Sequence, residues 1–244
     1  IPEKGNYLAP KKKQKRDEIG PKDSANLSTG PSNPLLPKLL ADIDRAERVD
    51  IAVAFTQMSG VSLVWPQFED LLNRGGHLRY LTGDYLNVTD PASLSRLLDL
   101  SNLADHSDLM ELRVFETKGE LSFHPKAYIV HFPSGDGRAY VGSSNLTRTA
   151  LQEGVEWNYR VISSEASNDF SSICAEFEKL FRDKRSVMID ENWVQNYDAR
   201  REEAPVYPPT ESTFELPETA PSPHGIQEKA LRALEEYRAA GNRA

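Results

Sequence analysis

The 244-residue chain carries 29 Lys and Arg against 37 Asp and Glu, a formal charge of −8, with 39% apolar residues and 1 cysteine. That length buries one sizeable core, the lone Cys174 excludes a disulfide framework, and no apolar run approaches the roughly 18 residues of a membrane span. The acidic balance excludes a surface that is basic all round but leaves room for a local cationic cleft.

The N-terminal stretch IPEKGNYLAPKKKQKR has no apolar core after its charges and is no secretory signal. The expectation is a soluble cytoplasmic protein with no membrane partner. Residues 1–34 hold Lys, Ser, Pro, Gly and Asn with little periodicity, which predicts a disordered or loosely held basic tail. Its cluster KKKQKR at 11–16 reads first as a solvated tail, and otherwise as a nuclear-import signal or a nonspecific phosphate-binding arm.

Order is expected from NPLLPKLLADIDRAE, a short amphipathic helix. RVDIAVAFT follows as a buried strand, and SGVSLVWPQFEDLLNRGG as a helix stopped by two glycines, with Pro66 near its start. HLRYLTGD predicts a strand, DPASLSRLLDL a helix with an Asp cap and Pro at its first position, and MELRVFET another strand. FHPKAYIVHF and RAYVGSS form a hairpin around PSGDG, and NLTRTALQEG a short helix with a Gly stop. VEWNYRVIS is again a strand. SNDFSSICAEFEKLFRD puts Phe170, Ile173, Cys174, Phe177 and Phe181 on one helical face, so Cys174 reads as a small core residue. A last helix, roughly DENWVQNYDARRE, closes a domain placed at 35–198. Residues 199–222 read as a Pro-rich acidic linker, and 223–244 as a new helix. Strands alternating with helices predict an α/β layered fold.

Side chains alternate faces along a strand, so His124, Lys126 and Tyr128 share a face. Ser143 and Asn145 share one where strand gives way to helix, and Glu156 and Asn158 share one on the next strand. Short connections make the three segments neighbours, bringing these groups to one end of a sheet. The set suits phosphodiester chemistry. A neutral imidazole at His124 can attack phosphorus or protonate a leaving oxygen. Lys126 supplies positive charge for the nonbridging oxygens, and Asn145 and Ser143 supply donors for the charge of the transition state. A helix starting near Leu146 would add partial positive charge, and Glu156 would accept from the other imidazole nitrogen. Ser144, Arg148 and Asn158 are candidates for substrate binding. No carboxylate cluster resembles a two-metal site, so neither a metal nor another cofactor is expected.

Together HPKAYIV, AYVGSSNLT and EGVEWN resemble the phospholipase D superfamily, whose signature is H-x-K, then an Asp, then G-S-x-N. The Glu beyond the Asn is similar to its single-motif nuclease branch, of the kind fused N-terminal to superfamily-2 helicases. The resemblance spans roughly residues 35–198. It implies a mixed sheet flanked by helices with one motif per chain. It also implies His124 as nucleophile through a phosphohistidine, with Lys126, Ser143, Asn145 and Glu156 in the roles above. The signature's Asp is replaced by His131. Strand parity turns His131 to the opposite face, so the lost Asp reads as structural, and Asp136 in the turn is a poor substitute.

A covalent mechanism needs two acid–base groups at one phosphorus. His77 opens a strand, His106 lies in a polar loop, His131 faces away and His224 follows the linker. A second copy of His124 is the expected source, through a homodimer across the active-site face, as the single-motif branch also implies. PHGIQEKALRALEEYRAAGNRA resembles the segment leading into the first motor motif of superfamily-2 helicases, which implies a helicase motor as partner beyond residue 244. Such fusions are similar to bacterial restriction and phage-defence enzymes. The resulting expectation is a metal-independent DNA endonuclease module. The rivals are a noncatalytic nucleic-acid-binding or docking module of the same fold, and a phospholipase or phosphatidyl transferase, which usually carries two H-x-K motifs.

Overall fold

A computed structural model describes residues 26–103, 106–117 and 122–203. The basic cluster at 11–16, most of the expected linker, His224 and the helicase-like segment lie outside the described residues. Eight strands form one mixed sheet in the order β1-β7-β6-β5-β2-β3-β4-β8. They are β1 (Leu27–Ser28), β2 (Arg48–Val53), β3 (His77–Gly83), β4 (Met110–Phe115), β5 (Lys126–His131), β6 (Gly137–Gly142), β7 (Asn158–Ile162) and β8 (Ser186–Met188). The helices are α1 (Leu36–Ile43), α2 (Met58–Asn73), α3 (Pro91–Ser101), α4 (Ser167–Phe181) and α5 (Glu191–Glu203). This is the α/β mixed sheet flanked by helices that the sequence predicts.

Strands β2, β3 and β4 are parallel, as expected of strands joined by the crossover helices α2 and α3. β5, β6 and β7 add to β2 as an antiparallel meander. The direction of β5 places the site. Because β5 runs against β2, its first residue Lys126 lies opposite Val53 at the end of β2. The end of β6 and the start of β7 then meet at Gly142 and Asn158. All these termini fall at one end of the sheet's strands.

Alternation divides the core. Val49, Ile51, Val53, Leu78, Tyr80, Tyr128, Val130 and Tyr140 face buried residues of α1, α2, α3 and α5. Ala52, Leu81, Ile129 and Ala139 face Phe177 and Phe181 of α4. Phe170, Ile173 and Cys174 pack against that second cluster half-buried, so Cys174 occupies the core-side position expected of it.

Local chemistry accounts for the helix ends. Asp90 caps α3 by accepting from Ala92 N at 3.2 Å. The predicted double-glycine stop of α2 is a Schellman turn, with Gly76 N donating to Leu71 O and Gly75 N to Leu72 O, both at 2.9 Å. Gly75 takes φ +77°, which only glycine adopts without strain.

Several expectations shift. Pro66 lies in the middle of α2, not near its start, because the helix begins at Met58. Leu27 and Ser28, expected within the N-terminal tail, pair with Tyr159 and Asn158 at the sheet edge, while residues 1–25 of that expected tail lie outside the described residues. At the other end α5 runs to Glu203, past the domain boundary expected at 198. The edge strands β1 and β8 are too short to leave an alternating pattern in the sequence. Among the described residues no helix is long and apolar enough to cross a membrane.

Candidate active site

His124 and Pro125 precede β5, which begins at Lys126. Face-sharing within a strand, expected from the alternation of side chains, therefore does not bring the imidazole and ammonium together. Local folding does so instead. Lys126 Nζ lies 2.5 Å from His124 Nδ1 and 3.2 Å from the His124 carbonyl oxygen. The imidazole meets two rings, Phe55 at 5.5 Å between centroids and Tyr85 at 6.4 Å, both edge-on. Phe123, the preceding residue, is buried and stacked on Phe115 at 4.7 Å. The His-bearing segment is thus anchored in the core by its neighbour and aligned at its ring.

The G-S-x-N stretch closes the same end. A Cβ at Gly142 would come within 2.0 Å of the Trp157 carbonyl oxygen, so the approach of β6 to the segment before β7 admits only glycine. That approach lets Ser143 N donate to Trp157 O at 3.0 Å and Trp157 N donate to Ser143 Oγ at 3.0 Å. Ser143 Oγ in turn donates to the Glu156 carboxylate. Glu156 is therefore engaged by Ser143, and not by the imidazole as the sequence reading expected. Burial raises its carboxyl above the usual range, while the Ser143 hydrogen bond and the charge of Lys126 pull the other way.

Asn145 is buried, and its Oδ1 accepts from Phe55 N at 3.1 Å. With the oxygen occupied, the amide NH2 is the group left for an incoming anion. Leu146 bridges to Thr56 and accepts from Gln57 N at 3.0 Å, which fixes this loop on the end of β2. The short helix expected from Leu146 starts later and has π geometry. A single π turn occupies Thr149–Glu153, because the loop as far as Leu146 is committed to the β2 end and Gly154 closes the turn. The helix terminus expected at Leu146 is accordingly displaced to Arg148–Thr149.

The remaining candidates divide. Ser144 and Asn158 are buried. Asn158 Nδ2 donates to Ser144 Oγ at 2.7 Å, and Ser144 Oγ donates to Ala150 O at 2.9 Å. Their polar atoms hold the turn together beneath the site rather than facing solvent. Arg148 is exposed at the start of the π turn.

His131 lies on the other face, as parity predicts, edge-on to Phe170 of α4 and 3.1 Å from Asp50 Oδ2. The carboxylate missing at position 131 is thus present one strand over. Asp136 is exposed in the hairpin turn, bonded to Ser134. His106, expected in a polar loop, is buried, with ring nitrogens 3.1 Å from Leu100 O and 3.0 Å from Asn73 Oδ1. Phe55 and Tyr85 are the site neighbours that sequence reasoning missed. Neither carries a motif, and only the pairing of β2 with β5 on one side and β3 on the other brings them to His124. Among the described residues no three His, Cys, Asp or Glu side chains are grouped so as to hold a metal ion.

The family described as "Cardiolipin synthase, PLD-like domain" matches residues 39–182, more than half of the chain. No curated protein matches the sequence. Among solved structures the chain is similar to NucT from Helicobacter pylori, at 13% identity and TM-score 0.47, over 64% of this chain and 91% of that one. It is also similar to Nuc, a phospholipase D family member from Salmonella typhimurium, at 18% identity and TM-score 0.46, over 67% and 97%. Phosphatidylserine synthase from Haemophilus influenzae Rd KW20 is similar at 12% identity and TM-score 0.50, over 88% of this chain and 45% of that one. The family segment runs from within α1 to the end of α4 and includes all the strands on which the site is built, so the chain belongs to the PLD-like domain family.

Proposed function

We propose that the chain is a phosphodiesterase, and more narrowly a DNA endonuclease that needs no metal ion. The observation that carries this reading is the gathering of His124, Lys126, Ser143, Asn145 and Glu156 at one end of the sheet. His124 attacks phosphorus, forming a P–N bond as the bond to the leaving oxygen breaks. Lys126 and the Asn145 amide stabilise the charge on the nonbridging oxygens. Glu156 orients Ser143 at the rim of the site. A second imidazole protonates the leaving oxygen. It then takes a proton from the water that attacks phosphorus and releases His124.

The second imidazole comes from a second copy of the chain. Supporting this is a strip of apolar side chains beside Ser143 and Glu156, with Val141 39%, Val155 79%, Trp157 65% and Tyr159 55% exposed. An exposed apolar set of this kind marks a contact surface, and a two-fold axis near it would face the two sites toward each other. The wider reading retains the N-terminal position of this module, whose described elements run from Leu27 to Glu203, in a helicase-type restriction or phage-defence protein, with the Pro-rich linker after it and the start of the helicase-like region at 223–244. It rests on the sequence resemblance of 223–244.

Hydrolysis of bis(p-nitrophenyl) phosphate and of labelled single- and double-stranded DNA and RNA, in excess chelator, tests the chemistry. Activity should persist. Activity that vanishes in chelator and returns with magnesium overturns the mechanism. Binding without cleavage of any substrate would favour the noncatalytic docking module. Mixing wild-type with His124→Ala chains tests the shared site, for which activity should fall faster than the wild-type fraction.

A further inference from the structure

We infer that Tyr85 is a positioning residue for His124, and that α5 holds it in place through Arg200 and Arg201. The inference rests on the reading of His124 as nucleophile. It adds a working part that lies outside the family segment, which ends at 182, whereas α5 begins at Glu191.

The loop after β3 carries Tyr85 to the imidazole, where the two rings meet at 83°. This loop does not rest in a relaxed conformation. Leu86 and Asn87 both sit in the left-handed region, at φ 56° and 54°, a region costly for side chains with a Cβ and most so for a residue such as Leu. Such a conformation persists only where the surroundings over-determine it. Here they do. Buried Asp84 accepts from Thr117 N at 2.8 Å and Thr117 Oγ1 at 2.9 Å through one oxygen, and from Arg200 Nη2 at 3.1 Å through the other. Asn87 O accepts from Arg201 Nε at 2.9 Å, and Thr89 O from Tyr197 OH at 2.9 Å. Three side chains on α5 therefore grip the loop at its start, middle and end.

The other ring, Phe55, is placed by a different route, its backbone N–H donating to Asn145 Oδ1. The imidazole thus meets two rings, one on a segment tied to the family motif and one on a loop tied to α5. A nucleophile must meet phosphorus in line, and displacement of about 1 Å costs on the order of a hundredfold in rate. Tyr85 needs only its ring for this task, so the hydroxyl is dispensable.

The test compares Tyr85→Phe, Tyr85→Ala, Arg200→Ala and the double variant in the full chain. The readouts are hydrolysis of bis(p-nitrophenyl) phosphate and the NMR resonances of the His124 ring. Tyr85→Phe should match wild type. Tyr85→Ala and Arg200→Ala should each lower kcat by about ten- to a hundredfold at unchanged KM. The double variant should be no worse than the poorer single one, because both act through one contact. Both alanine variants should shift the His124 ring resonances through loss of the Tyr85 ring current. A fully active Arg200→Ala, losses that multiply in the double variant, or a Tyr85→Phe as impaired as Tyr85→Ala each overturn the inference. If the wild type hydrolyses no ester, the nuclease reading has failed. The resonances then decide alone, and a His124 ring unmoved by Arg200→Ala sinks the positioning role. Arg200 is half exposed, and Arg201→Ala provides a second variant should Arg200→Ala fold poorly.

Discussion

His124 and His131 stand at the two ends of one short stretch and illustrate opposite uses of an imidazole. His131 closes a network. Its Nε2 is 3.1 Å from Asp50 Oδ2 and 2.9 Å from Arg48 Nη2, and Asp50 is itself held by Arg79 at 2.7 and 2.8 Å through both oxygens. Arg79 continues to Glu178 at 2.7 Å. Burial alone would raise the Asp50 carboxyl, but the Arg79 and His131 hydrogen bonds and the neighbouring guanidinium charges outweigh it, and the group is held below its usual range. At the His124 end the balance runs the other way. Among the described residues there, the carboxyl of Glu156 is raised by burial despite Ser143 and Lys126. One cluster satisfies its charges against α4 and stabilises the fold. The other gathers an ammonium, an amide and an imidazole at one end of the sheet, the groups on which the proposed phosphodiester chemistry rests.

The sharpest way to break this contrast is to exchange the losses. His124→Ala should abolish turnover and leave the melting temperature unchanged, while His131→Ala should retain turnover and lose stability by about 1–3 kcal/mol. A cleaving His124→Ala protein would falsify the assignment.

Arg79→Ala should be the costliest change in the closed cluster, at about 3–5 kcal/mol, because it leaves Asp50 buried and under-paired. The pH dependence has a definite sign. A carboxyl lowered in the folded state contributes stability that is fully present above its ordinary value of 3.8 and is lost as pH falls through the folded value. Thermal melts from pH 7 to pH 2 should show this acid limb in wild type and a flatter one in Asp50→Asn.

At the open cluster, Lys126→Ala and Asn145→Ala should each cost at least about a hundredfold in kcat, the scale for one transition-state donor, with melting little changed. Equal turnover in either variant would remove that group from the chemistry.

Glu156→Gln should separate the clusters more finely. A carboxyl raised in the folded state costs stability as pH rises from its ordinary 4.5 through the folded value. The amide should therefore melt slightly higher than wild type at neutral pH and match it more closely near pH 4, the reverse of Asp50→Asn. The smallest effect is expected of Cys174→Ser. Burial pushes this half-buried thiol up, so it is not a thiolate nucleophile. Turnover should be unchanged and the stability cost below about 1 kcal/mol. Loss of cleavage on modifying Cys174 would place the site elsewhere.

What the sequence determined by itself was whatever depends on short-range spacing. Alternation in HLRYLTGD, the Asp90-Pro91 start of α3 and the glycine stop of α2 were legible because caps and strand faces are decided within a few residues. The proposed set of five polar residues also came from the sequence, since the chemistry of a functional group is intrinsic to it. Tertiary structure decided their partners. Glu156 went to Ser143 because β7 approaches β6 at Gly142, and Ser144 and Asn158 went inward for the same reason. Leu146 left the expected helix because the end of β2 claimed its backbone. Phe55 and Tyr85 came to His124 only because β5 pairs antiparallel with β2 while β3 lies on the other side of β2. A hydrogen bond or ring contact between residues far apart in the chain depends on register and strand direction, and neither is written in the local pattern.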